Sequence, residues 1–328
     1  MAKGIGRLIN LGIAKETVRG TAETSATFWL RKIEADLNEK ITLVDNEASL
    51  GIIEDSTGAD IVKKWVEGTI NLPVTDKAIG LFLLNLLGTD TPALKGGETV
   101  VYDHAFTVAQ SAQHQALTFL VEDTLAGQDY KHALGMLSSL EIRYQQGKYI
   151  EATAAVRAKK GATATLTSSF TVENQFRPQD VSFKIAATQA DLAAASATSL
   201  KNLTLKIEQN LEDDDVLGSA EPADILNRQL VITGTCEAIW QDEASFKTAF
   251  LAGTQKALRL SITNADVTLG VASNPALVID LHKVIFKELT RPMKNNDIVR
   301  QTLGFKAYYN TTDSKMLTCT LTNLTASY

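Results

Sequence analysis

The sequence predicts a mainly β protein, β-rich α+β in class, built as two tandem sandwich or rolled-sheet units. Each unit carries one short flanking helix and one long loop. Three observations carry this expectation. Strand-like alternation recurs along the chain, and Thr, Val and Ile are frequent in the alternating runs, as sheets prefer. A strand–corner–helix–glycine unit occurs twice. The composition, 45% hydrophobic and 21% charged over 328 residues, is that of a soluble globular chain of one large or two ordinary domains.

The first copy of the unit is Val62–Thr89. Val66, Gly68, Ile70 and Leu72 alternate with Trp65, Glu67, Thr69 and Asn71, the period of a half-buried strand. Pro73 ends the strand because it cannot donate to a ladder. Asp76 is placed to cap a helix over Lys77–Leu87, and Gly88 supplies the left-handed stop. The second copy runs over residues 230–254. Gly234-Thr235 stands where Gly68-Thr69 stood, Asp242 where Asp76 stood, Ala244 where Ala78 stood, and Gly253-Thr254 where Gly88-Thr89 stood. The paired glycines are 20 residues apart in the first copy and 19 in the second.

In order along the chain, residues 1–26 read as an extended arm and Thr27–Ile33 as the first strand. Asp36–Asp60 lacks a sustained period and reads as a long loop, a length that tends to be functional. Strands follow at Val100–Val108 and Ala116–Val121. Met136–Tyr144 and Tyr149–Lys160 form a hairpin about the turn Gln145–Lys148. Thr163–Ser199 joins the halves, with a strand at Ser182–Ile185 and a small-residue run Ala186–Ala197 that fits a short helix or a connector. The second half repeats the order. A strand through Leu203, Leu205 and Ile207 leads to the acidic loop Glu212–Asp224. Strands Leu258–Ile262 and Leu277–Phe286 follow. Leu303–Tyr309 and Lys315–Thr325 read as a closing hairpin. The domains are expected at 1–175 and 176–328.

Charge and motifs argue against several function classes. The net charge is −6 and no basic run exceeds a doublet, unlike a surface built to grip phosphates. Gly4-Ile5-Gly6 lacks the third glycine of a dinucleotide fingerprint, because position 9 is Ile9. The four histidines, His104, His114, His132 and His282, have no metal-ligand spacing. Glu212–Asp215 lacks the alternation and glycine of a calcium loop. No nucleophile–base arrangement stands out. The expectation is no enzyme, no catalytic residue, no cofactor and no metal. Cys236 and Cys319 sit in strand patterns and read as buried thiols. The opening residues lack the apolar core of a signal peptide, and Leu81–Leu87 is too short to span a bilayer, so synthesis in a cytoplasm and no membrane contact are expected.

Two features ask for partners. The first helix is apolar nearly all round, so it is buried on most sides. Either its own core, or another subunit or the other half of the chain, covers Leu81, Leu83, Leu84, Leu86 and Leu87. Two long acidic loops also stand at matching positions, as if for repeated contacts to neighbouring units.

The chain resembles the major tail tube proteins of long-tailed bacteriophages. The resemblance lies in Gly12–Glu16 with Gly20-Thr21, in Val66–Ile70 leading to the leucine-rich helix and Leu87-Gly88, in Tyr102–Phe106, in Gly135–Ile142 and in Leu321–Leu324. It implies two tube-type β-sandwiches whose inner sheets join those of other copies into a barrel. It further implies trimeric pseudo-hexameric or hexameric rings, stacked, with Asp36, Asn46, Asp55, Asp213, Asp214 and Glu221 in the loops that touch the next ring. Implied partners are the chain itself, tail tip or baseplate and tail terminator proteins, the tape measure protein in the lumen, and phage DNA passing without sequence preference during ejection. The implied location is the virion tail. The alternatives are another ring component (distal tail, baseplate or injection-system inner tube) and a carbohydrate-binding β-sandwich. Only three tryptophans, Trp29, Trp65 and Trp240, are available to the last of these.

Overall fold

The computed structural model describes residues 3–123, 125, 127–240 and 246–328. In chain order the elements are β1 (Asn10–Lys15), β2 (Phe28–Trp29), β3 (Glu34–Asp45), β4 (Ala59–Pro73), α1 (Ile79–Leu87), β5 (Gly88–Leu94), β6 (Tyr102–Val108), β7 (Leu117–Glu122), β8 (Tyr130–Gln145), β9 (Glu151–Ala158), β10 (Ala162–Thr163), β11 (Val181–Ala186), β12 (Asn202–Asp214), β13 (Asp224–Ile239), α2 (Lys247–Leu251), β14 (Lys256–Thr263), β15 (Ala276–Thr290), β16 (Arg300–Ala307) and β17 (Leu317–Asn323). The architecture is β-rich, as the sequence predicts, and every strand pairing is antiparallel.

One long antiparallel layer runs through both halves in the order β3-β4-β9-β8-β12-β13-β16-β15. We call it the wall sheet. Its strands alternate cleanly. Val66, Ile70 and Leu72 of β4, Ala152, Ala154 and Val156 of β9, and Leu203, Leu205 and Ile207 of β12 turn inward and are buried. Strand period 2 sends the residues between them to the other face. A second layer covers the inward face: β2-β1-β7 against the first part of β8, and β11-β14 against the first part of β15. The apolar core between the layers is continuous through both halves.

The pairing pattern repeats. The series β1-β7-β8-β9-β4-β3 recurs as β11-β14-β15-β16-β13-β12, and β10 lies on β8 as β17 lies on β15. The matched glycines of the sequence repeat fall at matched sites. Gly68 faces Leu37 across its ladder and Gly234 faces Leu205. A Cβ on Gly68 would lie 1.5 Å from the Asp36 carbonyl oxygen, and one on Gly234 would lie 2.3 Å from Phe305 Cζ. Both glycines therefore permit a close approach that no other residue allows. The first half has one addition, the β5–β6 hairpin after α1. β17 pairs with β6, so the halves share two seams, β8–β12 and β6–β17.

Several expectations are corrected. Asp36–Asp60 is mostly a hairpin: β3 and β4 pair from Glu34↔Asn71 to Asp45↔Ala59, leaving a tip at 46–58. Ile41, Leu43, Val44, Ile61 and Val62 are exposed, so this part of the hairpin has no buried face and no readable period. The expected arm is only partly free, since β1 pairs with β2 and β7 and buries Leu11 and Ile13. α1 begins at Ile79, with Ala78 as a cap lacking any side-chain bond. Asp76 does not cap it. Its carboxylate accepts instead from the Asn174 backbone N–H at 2.8 Å and side-chain amide at 2.7 Å. Gly88 ends the helix in the left-handed region at φ 89°, as read. The expected closing hairpin does not form a ladder: β16 and β17 both lie on β15, at residues 284–290 and 276–281. Within Ala186–Ala197 one 3₁₀ turn forms at Ala190–Leu192. Asp242 and Ala244 lie outside the described residues.

Candidate assembly surfaces

The outward face of the wall sheet is polar, and four of its cations are paired with carboxylates. Arg143 meets Glu141 at 2.5 Å, Lys206 meets Glu208 at 2.6 Å, Arg300 meets Glu237 at 3.2 Å and Lys40 meets Glu67 at 3.9 Å. Exposed pairs of this kind add only ~0–1 kcal/mol each to stability. Their larger effect is on the field: the cation of each of these four pairs is held beside a carboxylate, while Lys306 and Lys287 lie instead over the Tyr308 ring. Near the β12–β13 tip, Asp213 accepts from both Lys63 at 2.8 Å and Arg157 at 2.5 Å. Both cations also lie over the Trp65 ring.

The wall sheet ends on two open strand edges, β3 and the last part of β15. They differ from their internal counterparts in cover. β12, paired on both sides, buries Leu203, Leu205, Ile207 and Gln209. β3, paired only with β4, leaves Leu37 half-buried and Ile41 and Leu43 exposed. Unpaired edges invite pairing with another chain and are commonly guarded by charge. β3 carries Glu34, Asp36, Glu39 and Lys40, and the β15 edge carries Lys287 and Glu288.

The candidate stacking residues separate into two groups. Asp36, Asn46, Asp55 and Asp214 are exposed. Asn46 shapes the β3–β4 tip by accepting from the Ala48 N–H at 3.2 Å, with Leu50, Ile52 and Ile53 exposed nearby. Asp213 is committed to Lys63 and Arg157, and Glu221 is half-buried in a turn closed by the Ser219 hydroxyl. The β12–β13 hairpin folds back onto the first half. The Lys64 N–H donates to the Ala220 carbonyl, Arg19 holds Asp224 at 2.8 Å, and Leu211 and Ile225 pack with Leu134 and Met136. The β3–β4 hairpin is held by the β12–β13 hairpin at Lys63 and Lys64, and beyond them its tip has no such contact among the described residues.

α1 is covered by the chain itself. Leu81, Leu83, Leu84, Leu86 and Leu87 are all buried, with β1, β5, β6, β8 and β12 around the helix and the Tyr328 ring resting on Gly80. In the single chain these leucines offer no surface to a neighbour: of another subunit and the other half, the two covers expected beyond the helix's own core, it is the second half that lies on α1, together with the β5–β6 addition. Asn85, the one polar side chain in the run, is fully buried and earns its place at a β8 irregularity. The β8–β9 register slips between Leu137 and Ser139. There Asn85 Oδ1 accepts from the Leu137 N–H at 2.8 Å, and its amide donates to the Gly135 and Gln115 carbonyls at 3.0 and 2.7 Å. Gln209 from β12 donates to the Leu137 carbonyl at 2.6 Å. The two amides thus satisfy β8 where it passes from one layer to the other. The sequence shows an out-of-pattern Asn85, but not the bulge that needs it.

Two buried carboxylates tie distant segments together. Glu98 accepts from the Val271 and Ala272 N–H groups at 2.7 and 2.9 Å and from the Ser273 hydroxyl at 2.8 Å. Those bonds hold its carboxyl down to about 2 and clip the β5–β6 hairpin to the β14–β15 loop. Glu16 is raised by burial, against bonds from the Leu134 and Gly20 N–H groups, and anchors the segment after β1. His104 binds Asp90 and the Thr325 carbonyl, and His282 binds Asp313 and Thr318, so both are structural links. Cys236 and Cys319 are buried thiols. Among the described residues no cluster of three metal-binding side chains occurs. A cleft of about 680 Å³ lies between the 107–114 segment, β13 and the β16–β17 turn. Its His114 is pushed down by burial, and its Nε2 lies 3.3 Å from the Ala109 carbonyl, with no acid or nucleophile bonded to its ring among the described residues. No helix among the described residues is long and apolar enough to cross a membrane.

Three comparisons with known proteins were made. A family model described as phage tail tube protein matches residues 6–307. No curated protein matches. Among solved structures, a crystal structure of an Hcp protein is similar at 10% identity, over 44% of this chain and 98% of that one, with a TM-score of 0.22.

Proposed function

The chain belongs to the phage tail tube protein family and so has a structural role in the phage tail tube; on that premise we propose that it self-assembles into stacked rings whose wall sheets form a conduit for DNA at ejection. The observation that carries this reading is the wall sheet itself: one continuous polar face, four cations paired with carboxylates, and an open strand edge at each end. Joining such edges into a closed barrel removes the aggregation hazard that each presents alone. A lumen for DNA must not bind it, and phosphate binding needs free Lys and Arg. The Glu141, Glu208, Glu237 and Glu67 pairs withhold four cations from that role.

The repeated half sets the stoichiometry. With two tube domains per chain, 1–175 and 176–328, three chains make a ring of six-fold pseudo-symmetry. Their twenty-four wall strands, about 4.8 Å apart and tilted about 40°, close on a backbone circle roughly 48 Å across. The exposed β3–β4 tip, with Asn46, Asp55 and the apolar Leu50, Ile52 and Ile53, is the contact to the next ring. Tape measure protein occupies the lumen before DNA, and tail tip and terminator proteins close the ends. Antibody labelling and band densitometry of purified virions test the reading. The protein is expected along the whole tail and among the most abundant bands. A scarce protein confined to one end of the tail would make it a ring component instead.

A further inference from the structure

The β8–β12 seam inside the chain has an empty counterpart between chains. The ladders align β3 on β12, with Leu37 at Leu205, and the β8 bulge on the β15 bulge, with Leu137 at Phe286. The internal seam pairs Glu208↔Ser139, Lys206↔Glu141, Thr204↔Arg143 and Asn202↔Gln145. We propose that β3 of one copy pairs antiparallel with β15 of the next in the transferred register: Lys40↔Glu288, Asn38↔Thr290, Asp36↔Pro292 and Glu34↔Lys294. This rests on the ring reading and specifies its contact.

Three observations support that register. It places Lys40 opposite Glu288 and Glu34 opposite Lys294, with no like charges directly opposed. Opposite charges across a ladder stabilise it and like charges oppose it. Among the wall-face positions, Glu34, Asp36, Asn38 and Lys40, slipping β3 by two residues in either direction leaves at most one opposite pair, and slipping by one turns every side chain to the wrong face. The edge is also on the correct side. β12 continues along the edge of β8 that β7 occupies, and the β15 residues beyond Val284 are free on the edge that β14 occupies. Finally, Leu43 occupies the place of Leu211, which packs against the cluster of Ala116, Leu134, Met136 and Ile225. In the transferred seam Leu43 meets Ile285 of the next copy, which is half-buried here. A consequence follows for the chain itself. The internal seam reaches Gln145, so β15 lengthens through residues 291–294, which lie outside any strand in the single chain.

Directly opposed strand positions bring Cβ atoms about 4.5–5.5 Å apart, close enough for a disulfide with little adjustment. The probe is the double variant Lys40→Cys with Glu288→Cys, against Asp36→Cys with Glu288→Cys four residues out of register. Oxidised assemblies are run on denaturing gels and imaged by negative stain. The in-register pair is expected to give at least tenfold more linked chains than the other, up to the closed ring. Rings that form without in-register linkage overturn this seam and leave the tube reading standing. Wild-type chains that stay monomeric at high concentration overturn both. A charge test covers variants that fold poorly: Lys40→Glu should weaken assembly at low salt and Glu288→Lys should restore it in the same chain. Absence of rescue counts against the register.

Discussion

Replacing Asn85 with Ala tests whether α1 is an internal strut rather than a meeting surface. The side chain is fully buried and makes three hydrogen bonds to backbone groups of β8 and of the segment before β7. Alanine removes all three and leaves the Leu137 N–H without its acceptor at the bulge. An orphaned buried group costs about 1–3 kcal/mol, and the two carbonyls lose one partner each, so the total is about 3–5 kcal/mol. Net stabilities of about 5–15 kcal/mol make that a large fraction. Urea denaturation followed by tryptophan fluorescence reads it. With a slope of about 3 kcal/mol/M for a chain of this size, the midpoint should fall by about 1–1.7 M. Asn85→Asp, which keeps the acceptor but buries a carboxyl, should also fall well below wild type. A midpoint within about 0.3 M of wild type for Asn85→Ala would refute the claim that β8 depends on this amide. A loss of assembly with unchanged monomer stability would place α1 at an interface after all.

Four further outcomes are expected. Leu83→Asp should fail to fold rather than fold and fail to assemble, because an unpaired charge enters a core with no water to meet it; soluble, cooperative monomer would contradict this. Gly68→Val and Gly234→Val should each cost at least the ~1–3 kcal/mol of ordinary overpacking, since their new Cβ atoms collide with Asp36 and Phe305; the check is yield and thermal midpoint. Glu98 has its folded value depressed from 4.5 to about 2, so the stability it contributes is complete above about 4.5 and is lost as pH falls through that window. Glu98→Gln should therefore flatten the acid limb of a stability–pH curve between those values, and an unaltered curve would remove Glu98 from the clip between halves. The combined variant Glu141→Gln, Glu208→Gln, Glu237→Gln frees three cations per chain on the wall face. Assembled particles of it should retain DNA at low salt and release it with a steeper salt dependence than wild type; equal retention would mean that this face does not line the conduit.

Much of the fold was legible because strands with one wet face write a period of two into the sequence. β4, β8, β9 and β13 were read close to their observed positions, and the Gly68 and Gly234 repeat marked two real close approaches. β3 was missed for the opposite reason. Its outer half projects from the core with Ile41, Leu43 and Val44 on show, so both faces are exposed and no alternation survives. The β16–β17 hairpin was misread because two strands joined by a short polar turn read as a pair, while the pairing surface of each is the long β15. Asp76 had the local chemistry of a helix cap, but Asn174, nearly a hundred residues away, took its carboxylate. The leucines of α1 gave a true signal of burial and a false one of location, since cover comes from the β5–β6 addition and from β12, which no local pattern reveals. The wall-face charges were legible as residues but not as pairs, because cross-strand partners such as Arg300 and Glu237 meet only once the register is set.

The symmetry of the assembled particle tests the central claim most directly. Cryo-electron microscopy of tails, or of tubes grown from purified chain, should show rings of three chains with six-fold pseudo-symmetry. The wall should be continuous, with β3 of each chain beside β15 of the next. Rings of six whole chains, or a wall interrupted between chains, would contradict the account.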